Sequence, residues 1–215
     1  MILPSSFIIL VVKHMSRFIK DNHGIMGLTL PQIGLIIATG ILIAAVFSVI
    51  FLNDWQRNAE LKNIATSFTT TVEGMDSRFF ENTTEFHFPD KNYYYNISIS
   101  TEYLVVSAEG NQNNRLSIKE CFIVKPWPRI TDQTWKRGEE LHNYCLNTYG
   151  HSGTISDPIT QDDLDELNID KETVSIDLAS NPLYIKTNKP IYIEKVIIYC
   201  DTTEKQDFLL IYQLE

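Results

Sequence analysis

Residues 27–52 read GLTLPQIGLIIATGILIAAVFSVIFL, and from Ile33 to Leu52 no side chain is charged and only Thr39 and Ser48 are polar. These 20 residues, rising about 1.5 Å each, make a helix of about 30 Å, the thickness of a bilayer's hydrocarbon core. Both hydroxyls can bond back to carbonyls one turn earlier, so neither needs an outside partner. Pro31 falls where a helix begins and where its missing N–H removes no hydrogen bond. Trp55, beside Asn53, Asp54 and Arg57, suits an anchor at the membrane–water interface. The competing reading is a helix buried in a soluble core, but such helices rarely run this long without a charge. The expectation is one membrane span.

Charge sets its direction. Lys13, Arg17 and Lys20 precede the span against Asp21 alone, which predicts a cytoplasmic N-terminus and an exterior C-terminal part. Beyond the span, 15 basic residues face 26 acidic ones, a net charge of −11 at neutral pH. That balance argues against nucleic acid or anionic lipid as partners and favours solubility. The N-terminal apolar run Ile2–Val12, interrupted by Pro4, Ser5 and Ser6, is too short to span. As a signal-peptide core it lacks a small-residue cleavage site. A true start at Met15, leaving MSRFIKDNHGIMG as the leader, is an alternative that any native peptide from residues 1–14 would exclude.

After the span, Leu61, Ile64, Ala65, Phe68, Val72, Met75 and Phe79 recur at spacings of three and four, an apolar stripe that predicts one helix through residue 80. Thr69, Thr70, Thr71 and Gly74 lower its intrinsic propensity, so packing must hold it. From Phe86 the period changes to 2. Strands are expected at Tyr93–Ser98, Tyr103–Ala108, Leu116–Val124, Val174–Leu178, Leu183–Thr187, Ile191–Tyr199 and Phe208–Leu214. A turn is expected at Glu109-Gly110-Asn111, and Pro126-Trp127-Pro128 should stop pairing. A short helix is expected over 134–144, a loop over 147–163 and a single helical turn over 162–167. The fold class is therefore α+β: a long N-terminal membrane helix continues into an amphipathic helix, and a mostly antiparallel exterior β domain follows. The segments are a leader at 1–27 (with 1–14 in question), helix at 28–80 and exterior domain at 81–215.

Chemistry is sparse. His142, Cys145 and His151 match no zinc spacing, and a thiol nucleophile needs a base that only the fold can place. Asp162, Asp163, Asp165, Glu166 and Asp170 offer oxygen ligands but lack the glycine and glutamate spacing of a calcium loop; a solvated acidic face is favoured. Tyr93, Tyr94 and Tyr95 can form a sugar- or protein-binding surface or simply pack across strands. No catalytic, cofactor-binding or metal residue is assigned. Asn82 and Asn96 open two glycosylation sequons, Asn82-Thr83-Thr84 and Asn96-Ile97-Ser98. Of the three cysteines, Cys121 and Cys145 are the candidate disulfide, with three thiols as the alternative.

Gly27-Leu28-Thr29-Leu30-Pro31-Gln32 resembles the type IV pilin N-terminus, in which a glycine precedes an apolar residue, Thr, Leu, a variable residue and usually Glu. The likeness covers the leader, the span and the helix-then-β order. It implies a prepilin-type peptidase cutting after Gly27, Leu28 as the mature N-terminus, membrane lipid as surroundings, and copies of this chain or other pilin-like subunits as helix-to-helix partners. Gln32 stands at the assembly position, where a carboxylate would pair with a neighbour's terminal amine. Archaeal pilins and archaellum-type proteins resemble the chain in tolerating glutamine there and in carrying β-rich exterior domains. Ile25 and Met26 precede Gly27 where such leaders are usually polar or basic, and a cut after Gly24, following His23, is the alternative. The expected protein is a non-enzymatic, single-pass cell-surface protein. Its rivals are an uncut exterior binding or sensor domain, and an anchored hydrolase built on His142, His151 or the acidic cluster.

Overall fold

A computed structural model describes residues 30–109, 115–128, 137–201 and 204–214. A boundary falls between Phe51 and Leu52, and each side forms its own compact unit. One helix, α1 (Leu30–Asp76), contributes to both. In the first unit, among the described residues, Leu35, Ile36, Ile41, Leu42 and Phe47 are exposed, and the most apolar 18-residue stretch is 0% buried. Thr39 Oγ1 donates to the Leu35 carbonyl at 2.8 Å and Ser48 Oγ to that of Ala44 at 2.7 Å, as the spacing predicts. This helix is long and apolar enough to cross a membrane.

In the second unit α1 becomes one-sided. Leu61, Ile64, Ala65, Phe68, Val72 and Met75 are all buried, on the stripe the 3.6 period predicts. The threonine hydroxyls bond within the helix, Thr69 to Ala65 and Thr71 to Ser67. The stripe stops earlier than expected: α1 ends at Asp76, and Phe79 is 90% exposed.

Two four-stranded sheets follow. The first has the order β1 (Asn82–Phe86), β7 (Ile191–Tyr199), β8 (Lys205–Tyr212), β5 (Trp127–Pro128); the second runs β4 (Arg115–Cys121), β3 (Tyr103–Glu109), β2 (Tyr95–Ile99), β6 (Leu183–Ile185). All neighbours are antiparallel except β5 and β8. The α1 stripe joins Ile97, Ile99, Leu104 and Val106 of the second sheet and Ile191, Ile193, Leu209 and Ile211 of the first in one core. Because successive strand residues face opposite ways, Val196, Ile198, Phe208, Leu210 and Tyr212 lie on the reverse of the first sheet. There they join Trp127, Leu141, Cys145, Leu164 and Leu167 in a second core.

That second core is covered by α2 (Gly138–Tyr149) and α3 (Gln161–Ser180). Helix α2 starts close against β7: the Gly138 N–H donates to Glu194 Oε2 at 3.0 Å, and a Cβ there would meet Glu194 Oε1 at 2.6 Å and Val196 Cγ2 at 2.7 Å. It ends on Gly150, whose left-handed φ of 83° sends its N–H to the Leu146 carbonyl.

Helix α3 corrects two expectations. The single turn at 162–167 is the start of 20 helical residues, and Val174–Leu178 is helix, not strand. Its first turn is fixed by a capping box, with the Asp163 N–H donating to Thr160 Oγ1 and the Thr160 N–H to Asp163 Oδ2. Leu164, Leu167, Lys171, Val174 and Leu178 then keep helical spacing toward the core. Lys171 hid this stripe from the sequence; its ammonium lies 4.9 Å from the centre of the Phe208 ring. Trp127-Pro128 is also a correction: it pairs parallel with Leu210 and Ile211 at the sheet edge, where proline is tolerated and Trp127 is buried. Strand β1 begins before the expected change of period.

One buried cation holds the end of α1. Lys195 Nζ lies 2.5 Å from the Asp76 carbonyl, 2.6 Å from that of Arg78 and 2.6 Å from Asp207 Oδ2. It thus satisfies carbonyls at the negative end of the helix dipole. Lys195→Met leaves Asp207 and both carbonyls unmatched, and is expected to destabilise the second unit by about 3 kcal/mol. Urea unfolding of the full chain in mild detergent measures this; an unchanged midpoint would contradict it.

Candidate functional site

One cluster of polar side chains in the second unit lies on α1 and on the loop between β1 and β2. Gln56 and Arg57 lie three and four residues after Asn53, and Glu60 four and three after them, so the four share one face of the helix. Lys91 and Tyr93 reach them from the loop. Glu60 Oε2 accepts from Tyr93 Oη at 3.0 Å and pairs with Lys91 Nζ at 3.1 Å, while Gln56 Nε2 donates to Glu60 Oε1 at 3.3 Å. The Lys91 and Tyr93 hydrogen bonds hold the Glu60 carboxyl below its ordinary range. Burial, and then Glu60, push the Tyr93 phenol up to about 12. Arg57 lies over the Tyr93 ring, 5.3 Å from its centre, and donates to the Glu109 carbonyl at 3.0 Å. Asn53, Gln56, Arg57, Glu60, Asn92 and Tyr93 enclose a groove of about 250 Å³.

A larger open cleft, about 660 Å³, lies between the same loop and the turn after β6, with His87, Asp90, Lys91 and the three tyrosines on one side and Asn188 and Lys189 on the other. The tyrosines divide. Tyr95 is buried and donates to the Pro89 carbonyl at 2.6 Å, Tyr93 serves the Glu60 network, and Tyr94 is 96% exposed. Gln213 closes the far side of the turn: its Nε2 donates to the Lys186 and Lys189 carbonyls and its Oε1 accepts from the Lys186 N–H.

The residues singled out from sequence do not form a second site. His142 Nδ1 is 2.8 Å from the Ser152 carbonyl. His151 Nδ1 is 2.7 Å from Asp157 Oδ1, and the Ser152 N–H donates to Asp157 Oδ2. His151 and the Ser152 amide hold the Asp157 carboxyl low. Cys145 is buried, and desolvation raises its thiol to about 11. The acidic cluster resolves into local roles: Asp163 in the α3 cap, Asp165 accepting from Gln161, and Asp170 accepting from Tyr144. Among the described residues, no three His, Cys, Asp or Glu side chains are grouped to hold a metal ion.

The Cys121–Cys145 disulfide is not formed. Cys121 is an exposed thiol at the end of β4 in one sheet, whereas Cys145 is a thiol inside the core on the reverse of the other. Asn96 is exposed on β2, and Asn82 is half-buried at the start of β1. Gln32 is exposed in the first turn of α1. Gly27 and Leu28, the start of the proposed mature chain, lie outside the described residues, as do the leader, Gly110 and Asn111 of the expected turn, and residues 134–136 of the expected helix.

No protein-family profile, no curated protein and no solved structure matches the chain. Function therefore rests on its own geometry.

The Glu60 network gives a pH dependence whose sign follows from its lowered pKa. The contribution is present above the unfolded value of 4.5 and is lost as pH falls through the lower folded value. The urea midpoint of the full chain is expected to fall as pH drops below 4.5, and Glu60→Gln to remove part of that fall. Identical pH profiles for the two proteins would contradict the role given to Glu60.

Proposed function

We propose that this chain is a single-pass, membrane-anchored surface protein of pilin-like build, a subunit or minor component of a type IV filament system. It works as a structural and binding protein rather than an enzyme. The observation that carries this reading is helix α1. Its first part is apolar and uncovered on every side, while its continuation is buried along one stripe against a mostly antiparallel β core. Such a helix suits a lipid or helix-lined environment in its first part and water plus its own domain in its second. With Lys13, Arg17 and Lys20 before the span, the N-terminus faces the cytoplasm and the β-rich unit faces outside. Processing after Gly27 by a prepilin-type peptidase would expose Leu28, after which the apolar helix associates with lipid and with copies of itself or related subunits. The glutamine at position 32, which resembles what archaeal pilins and archaellum-type proteins tolerate there, supports reading the chain as an archaeal surface protein.

A second reading is favoured by Gln32 itself. An amide supplies no countercharge for a neighbour's terminal amine, so a chain that is never cut and never polymerises, presenting an exterior binding or sensor domain on a permanent anchor, accounts for it.

N-terminal sequencing of the native protein separates the two readings. Pilin-like processing is expected to yield a chain beginning at Leu28, and Gly27→Trp to leave the leader attached, heavier by the mass of 27 residues. A start at Ile25 would move the cut to follow Gly24. A native chain retaining its leader would overturn processing and leave the anchored domain.

A further inference from the structure

We propose that the groove formed by Asn53, Gln56 and Arg57 of α1 with Asn92 and Tyr93 of the β1–β2 loop binds the phosphodiester headgroup of a lipid in the outer leaflet. The inference rests on the membrane-anchor reading and adds a ligand site to it.

Three observations converge. The first is depth. Asn53 directly follows Leu52, the last residue of the uncharged run, and Arg57 comes five residues after Leu52. At about 1.5 Å per residue that is about 7.5 Å beyond the hydrocarbon edge, at the outer limit of a headgroup layer that adds about 5–7.5 Å on each side of a bilayer.

The second is chemistry. Among the described residues, the partners of the Arg57 guanidinium are a backbone carbonyl and an aromatic face. Neither neutralises its charge. Of the two carboxylates three residues to either side of Arg57, Glu60 is taken by Lys91, Tyr93 and Gln56, and Asp54 is also engaged. Counting Asp54, three residues before Arg57, the two bases Arg57 and Lys91 face the two acids Asp54 and Glu60, so what the groove offers an anion is directed donors, in a part of the chain whose net charge is −11. A guanidinium offers five N–H donors in a planar fork that matches a phosphate, and one is spent on Glu109. The amides of Asn53 and Asn92 line the same groove and add neutral donors.

The third is preorganisation. The Glu109 carbonyl and the Tyr93 ring hold the guanidinium from two directions, and Tyr93 is itself fixed by Glu60. Little side-chain freedom is left to lose when a phosphate arrives.

The test uses the full chain purified in a neutral detergent. Native mass spectrometry follows retention of dioleoyl phosphatidylglycerol, of dioleoylglycerol (which lacks the phosphate) and of inorganic phosphate. Retention of the phospholipid over dioleoylglycerol is expected, with Arg57→Gln weakening it about tenfold or more, as loss of a charge-assisted hydrogen bond implies. Asn53→Leu leaves the described contacts of Arg57 in place; it should weaken retention in the same direction and reports on the groove if the Arg57 variant does not fold. Equal retention of both lipids, phospholipid binding that neither substitution changes, or full displacement by inorganic phosphate would overturn the proposal. Alkaline washing of native membranes keeps the two readings apart. A chain released by alkali contradicts the anchor, whereas a chain that stays embedded but retains no phospholipid contradicts the headgroup site alone.

Discussion

The buried stripe on α1 is the contact on which the β-rich unit depends. Leu61, Ile64, Ala65, Phe68, Val72 and Met75 supply side chains to a core shared by both sheets. Phe68 sits among Phe86, Phe88 and Phe122 at ring separations of 5.2, 5.4 and 6.4 Å, arrangements in which aromatic rings attract beyond the area they bury. Threonines and Gly74 weaken the helix intrinsically, so its regularity here comes from that burial. The same helix before Leu52 has no such cover. One continuous helix therefore has an apolar, exposed first part and a second part buried along a single stripe.

The first sheet is the second constraint. Strands β7 and β8 bury both faces, odd-numbered residues toward α1 and even-numbered ones toward α2 and α3, which explains their nearly continuous apolar sequence. Polar residues in this wall survive by being fully engaged. Lys195 closes the end of α1, and Glu194 accepts from the start of α2 and from the Tyr212 hydroxyl at 2.9 Å. Each buried polar group thereby fixes a junction between elements, since leaving it unmatched would be costly.

Legibility in the sequence followed the range of the interactions. The apolar run, its self-satisfied hydroxyls, the α1 stripe and strands β2, β3, β7 and β8 all depend on neighbours within a few residues, and all are read from periodicity. Helix α3 is disguised in the sequence because Val174-Ser-Ile-Asp-Leu178 alternates locally like a strand, while its helical stripe passes through Lys171, a residue that periodicity counts as polar. Its cap, Thr160 with Asp163, was a signal available to sequence reading. Phe79 was misplaced because the stop of α1 is set by Lys195, more than a hundred residues away. The groove was not legible at all. Arg57 and Glu60 read as ordinary surface charges until the loop brings Lys91 and Tyr93 to them, and the three tyrosines look alike until burial separates them.

The central claim, an apolar α1 anchor with the β-rich unit outside the cell, is tested most directly at Cys121, an exposed thiol of that unit. Intact cells producing the chain are treated with a membrane-impermeant maleimide and the site of modification is read by peptide mass spectrometry. Modification of Cys121 without breaking the cells is the predicted result. Modification that appears only after lysis would contradict the account.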